Sequence, residues 1–297
     1  MRVGVIDVGA NTLRLLVATQ GNSGGVDPVR EDRRQLGLGE EIERCDGLID
    51  AEKIEEAAAV ARTHVRRARK LHCDRIEVLV TSPGRQARNS RDLVEAIRDA
   101  TGVPVRVLDA DEEGALAWRG AIAMADEVPE SVAVCDVGGG SVQIVVGTSD
   151  RGPAWSTSVD VGSLRLTRRA LKHDPPEPAE IDAAREIVSA AFESIVPPLP
   201  ISALATGGTA RALRRVVGRE LDSETLADAV RKLSRRASRE IAKEFGVERA
   251  RARTLTGGAL LFSEVQKRLG VPMTVARGGL REGAVLALFH EAAAATA

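Results

Sequence analysis

The sequence predicts an α/β protein built of two similar halves facing each other across a central cleft. Two observations carry this prediction. Over the first half, β-rich apolar runs alternate with amphipathic stretches in the order β-β-(β)-α-β-α-β-α, the pattern of an α/β layer architecture. One short device also occurs twice: residues 3–17 read VGVIDVGANTLRLLV and residues 132–147 read VAVCDVGGGSVQIVVG. Each is an apolar run ending near an aspartate (Asp7, Asp136), a glycine-bearing turn and a second apolar run, so each reads as a hairpin with a Gly-rich tip. The expected domains are 1–124 and 125–297, joined near EVPES (127–131), with the last helix a candidate to pack back on the first domain.

The device has its own chemistry. Glycines let bare backbone approach a ligand closely. Successive N–H groups in such a turn face an anion, and a carboxylate beside them holds a hydrated cation. That is the local chemistry of a phosphate–Mg²⁺ site. A single D-x-G stretch is otherwise an ordinary tight turn; its recurrence between β-rich runs favours the site.

The remaining elements follow in order. Residues 21–25 are expected as a turn, and the charged segment 26–46 as one more strand and a loop. Asp50 is placed to cap a helix over 51–71, whose Ile54, Ala57, Ala61, Val65 and Ala68 share one face. A strand at 75–81 runs into an Arg-rich loop, SPGRQARN; a helix covers 90–101 and a strand 105–109. Asp111, Glu112 and Glu113 then open a helix reaching about Met124. In the second half, strands are expected at 155–161, 201–206 and 273–276. Helices are expected after GSLRL, at 179–195, over the whole of 223–246, at 256–269 behind the basic run RARAR, and from GGLREG onward.

Composition narrows the function. With 297 residues and 43% hydrophobic content, the chain supports one large or two medium cores. A net charge of −1 leaves no overall basic footprint for nucleic acid, and 2% aromatics with no Tyr argues against base stacking. Cys45, Cys73 and Cys135 are scattered without CxxC spacing, which points to a reducing compartment. His64, His72, His173 and His290 lack metal-site spacing. No apolar run reaches membrane-spanning length. A soluble cytoplasmic protein with no nucleic-acid or membrane partner is expected.

Four Gly-rich corners lie at strand ends: DVGANT (7–12), DVGGGS (136–141), TGGTA (206–210) and RGGLREG (277–283). Strand-to-turn corners at one sheet edge are where α/β proteins bind ligands. The candidate phosphate-binding residues are Gly9, Asn11, Thr12, Gly138, Gly139, Gly140, Ser141, Gly207, Gly208 and Thr209. Glu113 is the candidate for proton transfer; the alternative is helix capping and dipole compensation, which suits an acid in a first turn. Arg85 and Arg88 are candidates for a phosphate clamp through bidentate guanidinium bonds, the alternative being a solvated basic loop.

Taken together and in order, DVGANT, TSPGRQARN, DEEGAL, DVGGGS, ATGGTA and GGLREG resemble the motifs of the exopolyphosphatase / guanosine pentaphosphate phosphohydrolase (Ppx/GppA) family. That family lies within the actin-like, sugar-kinase-like ATPase superfamily. The resemblance covers nearly the whole chain and is similar to the short, two-domain members. It implies two ribonuclease-H-like domains of mixed sheet and helices around a cleft, Mg²⁺-dependent release of terminal phosphate from inorganic polyphosphate or cleavage of guanosine pentaphosphate, and a homodimer. By motif match it places Glu113 as the catalytic glutamate, Asp136 as the metal-associated aspartate and Arg85 as a phosphate-contacting arginine; Asp7, aligned with Asp136 by the repeated device, is the second candidate metal carboxylate. One departure stands out. The family pattern GGGSTE becomes GGGSVQ here, so Gln143 takes a glutamate's place. Gln is neutral and cannot act as a base, which implies weaker metal binding or a specialised member. A small-molecule kinase of the superfamily and a non-catalytic polyphosphate sensor are the further alternatives.

Overall fold

Each aspartate hairpin becomes the middle of its own sheet. In the computed structural model, which describes residues 1–21 and 25–294, the chain divides into two units. The first is Met1–Met124 together with the tail from Gly278; the second is Ala125–Arg277. The turn expected at 21–25 falls largely outside the described residues.

In the first unit, β1 (Arg2–Val8), β2 (Thr12–Gln20), β3 (Val26–Gln35), β4 (Arg75–Val80) and β5 (Val105–Val107) form one sheet in the order β3-β2-β1-β4-β5. The first three strands are antiparallel and the last two run parallel to β1, the ribonuclease-H-like arrangement. β1 is central, so both its faces are buried and it reads as a nearly continuous apolar run. Val3 and Val5 join the core under α5 (Ala110–Ala123) and α12 (Leu280–Ala294), whereas Ile6 and Val8 join the core under α2 (Ala51–Lys70) and α4 (Ser90–Thr101). Strand alternation therefore puts Asp7 on the α5 side of the sheet.

Helix α5 is held by glycine contacts with the tail. A Cβ on Gly120 would lie 1.9 Å from the Gly279 carbonyl oxygen, and one on Gly283 would lie 1.9 Å from the Leu116 carbonyl oxygen. The two helices cross where neither carries a side chain. Arg281, also buried, adds an ion pair to Glu31 on β3 at 3.0 Å. The glycines of RGGLREG are thus spent on packing, a correction to their reading as lining of a ligand cleft.

The second unit repeats the plan. β6 (Ser131–Val137), β7 (Val142–Thr148), β8 (Gly152–Val159), β9 (Ser202–Thr206), β10 (Glu220–Leu221) and β11 (Met273–Val275) are ordered β10-β11-β9-β6-β7-β8. Read from β8, its first five strands follow the pairing sequence of the first sheet, with β10 added at the far edge. Around it lie α6 (Ser163–Ala170), α7 (Pro178–Ala191), α8 (Gly207–Val217), α9 (Ser223–Ser234), α10 (Ser238–Phe245) and α11 (Arg249–Leu269).

Several segments differ from the sequence expectation. LGEEIER forms α1 (Leu38–Arg44) and SPGRQ forms a one-turn helix, α3 (Ser82–Gln86), where loops were expected; a proline in the first turn suits a helix start because its missing N–H has no partner to lose. Asp50 occupies the cap position of α2 but accepts from Arg44 at 3.0 Å and makes no side-chain cap bond. The helix expected over 223–246 breaks at 235–237. There Glu240 accepts from the Ala237 amide and Asp174 accepts from the Ser238 amide and hydroxyl, so a second helix start is stabilised. RARAR lies inside α11 rather than before it, as befits arginine, a good helix former.

His64 on α2 is 2% exposed, and among the described residues neither ring nitrogen has a partner at full hydrogen-bond geometry, the Leu13 backbone being its polar neighbour. Burial pushes its pKa below the usual imidazole value, opposed by the nearby Asp32 carboxylate and reinforced by Arg67. A base whose folded pKa is depressed is neutral in the fold, so the unfolded chain gains protons first as pH falls through the ordinary histidine value of about 6.5. Stability contributed by neutral His64 is therefore present above that pH and is lost below it. Thermal melts between pH 7.5 and 5.5 are expected to fall more steeply for the native chain than for His64→Leu; equal slopes would remove His64 as the cause.

Candidate functional site

The first corner is set by β1 and the turn after it. The Gly9 amide donates to the Thr12 carbonyl at 3.0 Å, closing the turn beside Asp7. Asn11 is 7% exposed; its carbonyl accepts from the Leu36 and Gly37 amides and its side-chain oxygen accepts from Gln35. Asn11 thus anchors the chain between β3 and α1. Thr12 Oγ1 accepts from Arg14 Nε at 3.3 Å. Arg14 pairs directly opposite Asp7 across the hairpin, so the two side chains share a face. Arg14 was missed in the sequence, although superposing the two hairpins points to its position.

Glu113 enters on the same side of that sheet. The first turn of α5 holds three acids, and the structure separates their roles. Asp109 accepts from the Glu112 amide at 2.8 Å and Glu112 accepts from the Asp109 amide at 3.1 Å, a complete capping box. Capping is therefore met by Asp109 and Glu112. Glu113 is 8% exposed and its Oε2 accepts from Arg85 Nη2 at 2.6 Å. Arg85 Nη1 donates to the Leu108 carbonyl at 2.8 Å, so the guanidinium is held at two points. Arg85 sits on α3, not in a loop, and in this structure it grips the candidate base. Arg88 turns to the Asp46 carboxylate at 3.2 Å and takes no part in this arrangement.

The second corner has the same turn bond: the Gly138 amide donates to the Ser141 carbonyl at 3.0 Å. The Gly138 carbonyl is taken by the Ser163 amide and hydroxyl, and the Gly139 carbonyl by the Leu164 and Arg165 amides, all at the start of α6. With its carbonyls committed there, what this turn offers an anion is amide N–H. Close approach demands glycine: a Cβ on Gly162 would meet the Gly139 backbone at 2.4 Å. Gln143 lies opposite Asp136 across the β6–β7 hairpin and is 2% exposed. Its Nε2 donates to Ser141 Oγ at 2.8 Å and to Ser158 Oγ at 3.2 Å, while its Oε1 is buried without a hydrogen-bond partner.

The third corner meets Asp136 directly. Thr206 is the parallel partner of Asp136 on β9, and Gly207 then opens α8 at a φ of 85°. A Cβ on Gly207 would lie 2.2 Å from Asp136 Oδ1, so the carboxylate rests against the start of that helix, beside Gly208. Thr209 is 1% exposed and its hydroxyl accepts from Arg251 Nη1 at 3.2 Å. Arg251 belongs to RARAR, which the sequence reading noted but did not assign.

Within each unit the expected residues thus converge: Asp7, Gly9, Asn11 and Thr12 around one turn, with Arg85 and Glu113 paired at α5; and Asp136, Gly138, Gly139, Gly140, Ser141, Gln143, Gly207, Gly208 and Thr209 around the other. The donor set suits Mg²⁺, which takes hard oxygen ligands and keeps several waters. Asp136 supplies a carboxylate, and the unpartnered Gln143 oxygen lies on the same face of the hairpin. The group elsewhere that could also attract a cation, the Glu41 and Asp50 carboxylates with the Cys45 thiol, already has the Arg44 guanidinium at 2.6 and 3.0 Å from the two carboxylates. Among the described residues no helix is long and apolar enough to cross a membrane.

Two such units define an actin-like α/β fold with acid-and-glycine corners suited to phosphate. The chain belongs to the Ppx/GppA phosphatase family, whose profile matches residues 16–292. It is 28% identical to Exopolyphosphatase 1 of Mycobacterium tuberculosis, covering 100% of this chain and 91% of that protein. It is 27% identical to Exopolyphosphatase 2 of the same organism, covering 97% and 98%. The structure resembles the Aquifex aeolicus Ppx/GppA family member, with a TM-score of 0.82, 25% identity and 98% of each chain covered. It also resembles an exopolyphosphatase from Cytophaga hutchinsonii, with a TM-score of 0.85, 22% identity and 98% of each chain covered, a likeness of fold.

Gly207→Ala tests the second unit. The variant is expected to fold, judged by circular dichroism, but to displace the Asp136 carboxylate and to weaken, by about tenfold or more, whatever Mg²⁺ binding calorimetry detects in the native chain. Unaltered Mg²⁺ affinity would separate Asp136 from the metal.

Proposed function

We propose that this chain is an exopolyphosphatase that hydrolyses the terminal phosphoanhydride bond of inorganic polyphosphate, with Glu113 as general base. The observation that carries the reading is the division of labour at the start of α5. Capping is complete without Glu113, and the one buried carboxylate of that turn is held in place by Arg85. A carboxylate so positioned takes a proton from a water attacking the terminal phosphorus. The new P–O bond forms as the bridging P–O bond breaks, and the shortened chain leaves with its negative charge. Each unit has its own groups suited to phosphate oxygens: the turn amides after Asp7 in the first, and the turn amides with Ser141 and Thr209 in the second. Within the second unit Asp136 would hold Mg²⁺, with Gln143 a neutral neighbour, and Asp7 is the corresponding carboxylate of the first unit; the metal would supply charge neutralisation.

The names of the curated relatives support polyphosphate as the substrate. Guanosine pentaphosphate is the second reading, favoured by the family's other named activity and disfavoured by the scarcity of aromatic residues for a purine. Parallel phosphate-release assays on the two substrates, with Mg²⁺ and with chelator, decide between them. An absence of turnover on both, with polyphosphate still bound, would favour the sensor alternative raised by Gln143; ATP-dependent phosphorylation of an acceptor would favour the kinase.

Glu113→Gln keeps the side chain's shape and removes its basicity. Phosphate release is expected to fall by about 10²–10⁴-fold, the usual worth of general-base help, while polyphosphate binding measured by filter retention stays within about threefold. Undiminished turnover would remove Glu113 from the base role.

A further inference from the structure

The second unit carries a groove that the phosphate chemistry does not use. Helices α7 and α9 both pack on α11 and stand on either side of a cavity of about 1020 Å³. Asp174, just before α7, accepts from the amide and hydroxyl of Ser238, just after α9. The start of α7 is therefore beside the end of α9, and the two walls run antiparallel. On α9 the lining residues Ser223, Ala227, Arg231 and Ser234 recur every three or four positions, one stripe along the whole helix. That stripe is ~16 Å long, about three helical turns. Spread over this length, the cavity is roughly 8 Å across, enough to seat one face of a helix.

Its chemistry is amphipathic. The floor is apolar, formed by Ile181, Val188, Val230 and Leu260, all buried. The rim carries Arg185, Arg231, Arg235 and Lys267 against two lining acids, Asp182 and Glu264. Arg185 pairs with Asp182 at 3.2 Å, Arg231 with Asp228 at 2.7 Å and Glu264 with Arg268 at 2.7 Å. Lys267, 3.8 Å from Glu264, and Arg235, with no carboxylate partner among the described residues, are the more available cations. The rim is therefore net basic over an apolar floor. Among the described residues, the large hydrophobics that are fully exposed lie on strands or loops and none on a helix, so a second copy of this chain presents no fully exposed apolar helix face to it.

We propose that this groove docks an acidic amphipathic helix of a partner protein, apolar side chains down and carboxylates toward the arginine rim. Helix-in-groove recognition of this kind reads apolar anchors at i, i+3 or i+4 and i+7, the spacing that the three-turn floor accommodates. The surface is separate from the residues assigned to phosphate hydrolysis, so it stands whether or not that reading does.

The test uses the full chain at low ionic strength and a labelled acidic peptide of about four helical turns, with leucines at i, i+4, i+7 and i+11. A scrambled peptide of the same composition is the control. Binding by fluorescence anisotropy is expected in the micromolar range for the patterned peptide, with hydrogen-exchange protection confined to α7, α9 and the α11 face between them. Ala227→Glu, on an exposed wall position, and the double reversal Arg231→Glu with Arg235→Glu are each expected to weaken it about tenfold or more, or ~1.4 kcal/mol. Equal binding of the scrambled peptide, protection elsewhere, or no binding at about 100 µM peptide would overturn the proposal. So would tripolyphosphate alone protecting the same helices, which would make the groove a small-anion site.

Discussion

The Asp136 carboxylate fills the space that a side chain on residue 207 would need. A single methyl group on residue 207 would sit 2.2 Å from the carboxylate oxygen, closer than non-bonded atoms approach. Much of the second unit's architecture follows from keeping that contact open. β9 must run parallel to β6 so that its end stops beside the aspartate. The residue after it must be glycine, both for space and for its φ of 85°. The helix that starts there then presents its amide end, the electropositive end of its dipole, to a carboxylate and to any anion sharing the corner.

The first unit solves the same problem with different residues. The turn bond after Asp7 joins Gly9 to Thr12, at the spacing that joins Gly138 to Ser141 in the second. β4 takes the place of β9, and Thr81 at its end donates to the Val8 carbonyl. A duplicated half-domain explains this equivalence economically, and it also shows where the halves diverge. Opposite Asp7 stands Arg14, a cation; opposite Asp136 stands Gln143, a neutral amide. The two corners therefore differ by a full charge at matched positions, and the half with the neutral partner retains an unpaired buried oxygen beside its aspartate.

Glu113 owes its position to packing far along its own helix. α5 is drawn against α12 through Gly120 and Gly283, and α12 is tied to β3 through Arg281 and Glu31. The tail of the chain thus supports the helix that bears the candidate base. This is why the glycines of RGGLREG, which look like another ligand loop in the sequence, act as a helix contact.

Local sequence was enough to reveal the α/β class, the twin hairpins, both aspartates and the family resemblance, because these depend on period-2 apolar patterning and on turns that tolerate only particular residues. Short-range rules failed where distant residues intervened. The break between α9 and α10 needs Asp174, which contacts Ser238 across 64 positions of sequence. The one-turn helix bearing Arg85 is joined to the α5 region through Leu108 and Glu113. The choice between Glu112 and Glu113 rests on the same logic. Adjacent and chemically alike, they are told apart by direction: one turns back to cap its helix while its neighbour turns inward to an arginine 28 residues earlier in the chain. Spacing says which residues share a face but not what that face meets; packing in three dimensions supplies it.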